Sequence, residues 1–260
     1  MADAVASINF IKEVSKSGDF DLVFMPICNL GRDEIRHFES LTRLRGEHGE
    51  KSPYHLISLA EEVGIIREFD RAVCEKAIDL VTGAWADRPM PTVAVNLSGS
   101  SIGDAGFVDG LHGFLDGHLD IAKRLMFEIT ESAEIEDLAG VNVIIQGLRE
   151  KGFEVALNDF GAGAASFDYL NMLDVSIVKF DGPAVRRACS TTKGNDLLSS
   201  MAEMCSNMGV RTVAEMVEDK EMANQVFYCG IDYGQGWYFG KPDPDPFTFA
   251  DRFAAPAAPD

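Results

Sequence analysis

Basic residues are scarce in this chain of 260 residues: 23 Lys and Arg stand against 42 Asp and Glu, a formal charge of −19. A surface that acidic offers no counterion-releasing face to a nucleic-acid backbone, so polymeric nucleic acid is excluded as a partner. An anionic ligand would have to be held locally, by metal ions or a few placed cations. Cysteines are few, odd in number and far apart, at Cys28, Cys74, Cys189, Cys205 and Cys229. No Cys-x-x-Cys pair or Cys/His cluster occurs, which argues against a disulfide framework and a zinc site and for thiols in a reducing compartment. No stretch approaches the roughly 20 apolar residues of a membrane span. Residues 1–10 have an early Asp3 and no cationic region before an apolar run, unlike a signal peptide. A cytoplasmic protein, or the cytoplasmic part of a longer one, is expected.

What is present is alternation. Short β-rich runs at 22–28, 37–44, 92–97, 125–130, 154–158, 176–180, 212–217 and 235–239 alternate with helical patterns at 55–81, 105–119, 135–151, 184–208 and 220–229. Eight strands with helical crossovers and no repeat predict an α/β fold, one variant TIM (β/α)8 barrel. The link from Asn29 to Arg36 is too short for a crossover helix, so the first strand pair is expected to be antiparallel. Residues 1–18 predict an N-terminal helix packed on the barrel through Val5, Ile8, Ile11 and Val14, residues 19–253 the barrel domain, and residues 254–260 a disordered tail.

Active sites of such barrels lie at the carboxyl ends of the strands. The polar residues near those ends are Glu39, Asn96, Glu128, Asp159, Lys179, Glu215 and Gln235. Four are carboxylates, two are amides with a carbonyl oxygen, and one is the sole lysine. An all-oxygen donor set suits a hard divalent cation, Mg²⁺ or Mn²⁺, that clamps a phosphate and activates water. Lys179 would hold a phosphate oxygen or the attacking water, and Glu215 or Glu218 would accept a proton. Each acid alone could instead be a helix cap or a solvated residue. The histidines at 37, 48, 55, 112 and 118 are scattered, and none is expected to pair with a carboxylate of this set; His112 and His118 read as surface residues of one helix. Gly161-Ala-Gly163-Ala-Ala-Ser166 loosely echoes a dinucleotide fingerprint but lacks its third glycine.

Several segments resemble one family. Glu39-Ser40-Leu41-Thr42-Arg43 is similar to the Glu-Ala-Leu-x-Arg signature of EAL domains, the cyclic di-GMP phosphodiesterase domains of bacteria. SLAEEVGII (Ser58 to Ile66), VNLS (from Val95), FEITES (from Phe127), LNDFGAG (from Leu157), VKFD (from Val178), AEMVE (from Ala214) and GQGWYFGKP (Gly234 to Pro242) resemble the family's other motifs in order and spacing. The resemblance implies cyclic di-GMP bound at the carboxyl-end mouth and, in active members, two Mg²⁺ or Mn²⁺ ions that support cleavage to pGpG. By motif, Glu39, Asn96, Glu128, Asp159 and Glu215 fall at metal positions, and Lys179, Glu215, Glu218 and Gln235 at catalytic ones. Glu39, Leu41, Arg43, Asn158, Asp181 and Pro242 fall at ligand positions, Arg43 being the arginine that grips a phosphate.

Departures from the pattern matter for function. Asn158 stands where the family has the aspartate that bridges two metals. Ala162, Ala164 and Ala165 replace Thr, an aromatic and Ser in the loop that couples dimerisation to metal binding in the family. Met25 replaces a glutamine, and Met216 a glycine. These departures imply a degenerate member: a receptor that binds cyclic di-GMP with impaired hydrolysis. A working phosphodiesterase with a weakened two-metal site and a domain that acts only through protein contacts are the alternatives. A homodimer and protein partners are expected as further possibilities.

Overall fold

The computed structural model describes residues 2–32, 34–45, 53–130, 135, 137–162 and 166–253. The expected disordered tail at 254–260, His48, and the loop substitutions at Ala164 and Ala165 lie outside the described residues. Helix α1 (Ala2–Ser17) precedes β1 (Phe20–Asn29) and β2 (Ile35–Leu44), then α2 (Pro53–Glu62) and α3 (Ile66–Asp79). Next come β3 (Thr92–Ser98), α4 (Gly99–Ile102), α5 (Ala105–Leu115), β4 (Leu125–Thr130), α6 (Leu138–Glu150), β5 (Glu154–Phe160) and α7 (Ser166–Met172). The chain finishes with β6 (Ile177–Phe180), α8 (Gly182–Cys189), α9 (Thr192–Asn207), β7 (Arg211–Ala214), α10 (Lys220–Tyr228) and β8 (Tyr233–Gln235).

The eight strands close into one barrel in sequence order. Strand β1 is antiparallel to both its neighbours, β2 and β8, and the other pairs are parallel. The expected antiparallel opening is therefore present, and it carries the Cys28 end of β1 to the face opposite the mouth. Of the α1 positions read as apolar, Ile11 and Val14 are buried while Val5 is exposed.

Alternation along each strand decides what faces inward. One set, Val93, Val95, Leu97, Phe127, Ile129, Val155, Leu157, Val178 and Phe180, faces the helices and joins the large outer core. The other points into the barrel, where Ile27, Ala94, Met126, Ala156, Ile177 and Val213 form a separate apolar plug. Two residues further along β3, β4, β5, β6 and β7, the same inward phase delivers Asn96, Glu128, Asn158, Lys179 and Glu215. The barrel is thus an apolar floor with a polar layer on top, and period two puts it there. Among the described residues, no helix is long and apolar enough to cross a membrane.

Several boundaries differ from the sequence reading. The helix expected over 55–81 is broken at Gly64, whose φ of +72° suits glycine and ends α2, and α3 then runs into a π-helical turn at Leu80–Ala84. The helix expected over 184–208 is two helices, because Thr191 caps the second by accepting the Gly194 N–H at 3.0 Å. The strand placed at 235–239 is β8, ending at Gln235. Gly236, at φ +157°, lies so close to Val217 that a Cβ would stand 2.0 Å from its carbonyl oxygen, and the chain turns away there. His118 is not in a helix with His112: α5 ends at Leu115, and both imidazoles are half-buried.

Candidate functional site

The polar layer is organised around one ammonium. Lys179 is wholly buried, and its Nζ donates to Glu128 Oε2 at 2.9 Å and Glu39 Oε2 at 3.1 Å, with Glu215 Oε1 at 3.0 Å. Gln235 Nε2 donates to Glu39 Oε2 at 2.6 Å, and Asn96 Nδ2 to Glu39 Oε1 at 2.9 Å. Six of the seven residues expected at strand ends, namely Glu39, Asn96, Glu128, Lys179, Glu215 and Gln235, therefore share one hydrogen-bonded cluster. Asn158 joins it from β5, its Nδ2 lying 3.4 Å from Asn96 Oδ1.

Asp159 reaches the same mouth by a backbone device. Neighbouring strand residues normally face opposite sides, but the β5–β6 register shifts between Leu157 and Phe160, and Asp159 adopts φ +59°. Asn158 and Asp159 consequently both line a cleft of about 360 Å³ together with Glu39, Leu41, Arg43 and Tyr54. A non-glycine residue in the left-handed region is uncommon and is a frequent mark of functional sites.

Electrostatics follow from burial. Burial pushes the Glu215 carboxyl up to about 7 although Lys179 opposes it, and it also raises Asp159. Burial would likewise raise Glu128, yet the Lys179 charge and then His37 outweigh it and hold that carboxyl below its ordinary range. Burial works against the Lys179 ammonium, but Glu128, Glu39 and Glu215 more than offset it and raise its pKa well above the ordinary value.

Other residues picked from the sequence are not bonded into the lysine cluster. Glu218 is exposed and bound to Arg186 at 2.7 Å, away from the lysine cluster. Asp181 caps α8 by accepting the Ala184 N–H at 2.9 Å. Pro242 is half-buried in the segment after β8 and is not among the cleft-lining residues. Met25 pairs in register with Glu39 and is half-buried. Met216 is 43% exposed at φ +53°, packing over Gly182 rather than entering the core.

Two residues were missed. His37, expected to pair with no site carboxylate, is fully buried with Nε2 3.7 Å from Glu128 Oε1, which corrects that expectation. The signal was available: His37 lies two residues before Glu39 on the same strand and so shares its face. Asp70 lies at the back of the cleft, accepting the Ser98 N–H at 2.9 Å. Nothing in the sequence pattern distinguished it from an ordinary helix-surface acid.

A closed barrel with one antiparallel strand and an acid–lysine cluster at the carboxyl ends of its strands defines the variant TIM-barrel class. Comparison with known proteins then identifies the family. The EAL domain family matches residues 9–242, and the chain belongs to it. The cyclic di-GMP phosphodiesterase PdeF of Escherichia coli is 31% identical over 245 residues, aligning 94% of this chain with 32% of its own length. The cyclic di-GMP phosphodiesterase PdeB of Shewanella oneidensis is 33% identical over 240 residues, covering 90% of this chain and 28% of that protein. The chain thus spans about a third or less of these curated relatives. Among solved structures, the FimX EAL domain from Pseudomonas aeruginosa, bound to c-di-GMP, superposes with a TM-score of 0.80 at 24% identity, covering 92% of this chain and 97% of that one. An EAL domain protein from Listeria monocytogenes EGD-e gives 0.79 at 24%, covering 92% and 94%. At such identities these two likenesses speak for the fold alone.

Proposed function

We propose that this domain binds cyclic di-GMP at the carboxyl-end mouth of its barrel and hydrolyses it weakly or not at all, acting as a receptor. The Asn158 amide carries the reading. Its Oδ1 accepts the Asp159 N–H at 3.0 Å, which fixes the orientation of the amide and turns Nδ2 toward Asn96 Oδ1. An NH₂ group thus faces the donor set where a bridging carboxylate would offer a second anionic oxygen.

Glu39, Asn96, Glu128, Asp159 and Glu215 offer only oxygen, and four buried or partly buried acids surround one lysine, so a hard divalent ion, Mg²⁺ or Mn²⁺, fits there. Among the described residues, no three of His, Cys, Asp and Glu form a ready-made metal cage, since Lys179 stands where the glutamates converge. A second ion would need the anionic bridge that Asn158 lacks, so a two-metal arrangement does not fit. When bound, such an ion supplies charge neutralisation at a phosphate and acidifies water.

The chain's own groups do the rest. Arg43, on the cleft wall, presents a guanidinium whose fork suits phosphate oxygens, and it gives an acidic molecule a local cation for an anionic ligand. Lys179 holds Glu39, Glu128 and Glu215 at fixed separations. Glu215, with a pKa near 7, is poised to accept a proton from water at neutral pH, which is the one observation favouring a slow phosphodiesterase as a second reading.

Calorimetric titration with cyclic di-GMP, in EDTA and in Mn²⁺, tests binding. The wild-type protein should saturate, and Arg43→Ala should weaken binding by about tenfold or more through the lost charge-assisted bonds. No binding in either condition would contradict the receptor reading and leave protein contact as the domain's role.

A further inference from the structure

We infer that Tyr54 is a stacking platform for a guanine of the bound cyclic dinucleotide, a ligand-positioning residue outside the strand-end cluster. The inference rests on the reading of the mouth as a cyclic di-GMP site. Helix α2 forms one wall of the cleft through Tyr54, Ile57, Ser58 and Glu61, which are spaced as one helical face. Leu56 and Ala60 of the same helix are buried in the outer core and fix its position. Tyr54 opens the cleft-lining face, and its side chain is 70% exposed. Its ring neighbour is His55, edge-on with centroids 5.9 Å apart, and among the described residues its hydroxyl makes no hydrogen bond. The other aromatic residue of the cleft wall, Phe69, is 2% exposed and packs on Phe20 at 5.6 Å. Among the described lining residues, Tyr54 alone therefore offers an open ring. A lone exposed aromatic is ordinary on a protein surface. On the wall of a ligand cleft it supplies broad contact area at little entropic cost.

Charge says why a ring matters here. The described lining sets Glu39, Glu61, Asp70 and Asp159 against one cation, Arg43. A ligand with two negative phosphates gains little Coulombic attraction from such a wall beyond the Arg43 fork. Contacts that need no charge must make up the affinity, and stacking on an aromatic face is one, because every base has a π-face. Arg43 lies on β2 and Tyr54 near the start of α2, and both line the same cleft of about 360 Å³. A phosphate gripped by the arginine can then lay its attached guanine on the tyrosine ring, which fixes the base and so the register of the phosphate.

The test is calorimetric titration of cyclic di-GMP into the wild-type chain and into Tyr54→Ala, Tyr54→Phe and Tyr54→Trp. Affinity should fall by about tenfold in the alanine variant and stay within about twofold in the two variants that keep a ring. All three should melt with the wild type, since the side chain is exposed. NMR of tyrosine-labelled protein adds a readout that a structural role would not move. The Tyr54 ring protons, assigned by their loss in Tyr54→Phe, should shift upfield as nucleotide is added, the ring-current mark of stacking. Wild-type affinity in Tyr54→Ala, an equal loss in Tyr54→Phe, or no ring-proton shift on binding would each overturn the inference and leave the proposed receptor standing. No binding by the wild-type chain would instead defeat the receptor reading, and this inference with it.

Discussion

At the scale of single residues, the site is a balance between one lysine and several acids. Lys179 is the only ammonium among Glu39, Glu128 and Glu215, and none of these groups has free access to water. Removing one partner from such a buried set leaves uncompensated charge, which costs about 3–5 kcal/mol. Lys179→Met should therefore lower stability by that amount at pH 7, measured by urea unfolding. A loss below about 1 kcal/mol would mean that the glutamates simply take up protons. Asn158 acts in the opposite way: it is well accommodated, hydrogen-bonded on both sides of its amide, and on the proposed reading its cost is functional. Asn158→Asp should leave the fold intact and strengthen Mn²⁺ binding by about tenfold or more, read by calorimetry, because an anionic oxygen replaces a neutral one.

At the scale of elements, strands were legible and their ends were not. Short β-rich runs placed β3 and β4 within a residue, and position near the strand ends picked out Asn96, Glu128, Lys179 and Glu215. What alternation does not encode is a backbone that leaves the pleat. The bulge that brings Asp159 beside Asn158, the left-handed turn at Met216 that ends β7 early, and the bend at Gly236 are set by tertiary contacts, and each lies beside the site. Helix α7 was not foreseen because its seven residues are too few for a 3.6 period to stand out. His37 could have been read from alternation, and was not. Asp70 links elements in a way only the structure reveals, tying α3 to the end of β3 through the Ser98 N–H. Burial raises its carboxyl from 3.8 to about 6. The folded state therefore holds this proton more tightly than the unfolded chain, and the associated stability is present below about pH 4 and lost as pH rises through about 6. Unfolding measured across that range should show a decline of roughly 3 kcal/mol from this group, at 1.36 kcal/mol per pKa unit. Asp70→Asn should flatten the decline, and an unchanged slope would assign it to other groups.

At the scale of the whole molecule, a charge of −19 sets the long-range field. Self-repulsion on such a surface is screened by salt, so the melting temperature should rise as NaCl is raised from 10 to about 150 mM, where the Debye length falls from about 30 Å to 8 Å. A melting temperature that falls instead would mean that exposed ion pairs such as Arg45–Asp19 outweigh the repulsion. On the proposed reading, an acidic barrel takes its anionic nucleotide at one place, the mouth that Arg43 lines. The central claim is that binding there has been kept while cleavage has been largely lost. It is tested most directly by incubating the protein with cyclic di-GMP and Mn²⁺ and resolving the nucleotide by chromatography, with Asn158→Asp run alongside. The account predicts intact cyclic di-GMP with the wild-type protein and pGpG with the variant. Rapid conversion by the wild-type protein would contradict it, showing that an amide at position 158 supports the full reaction.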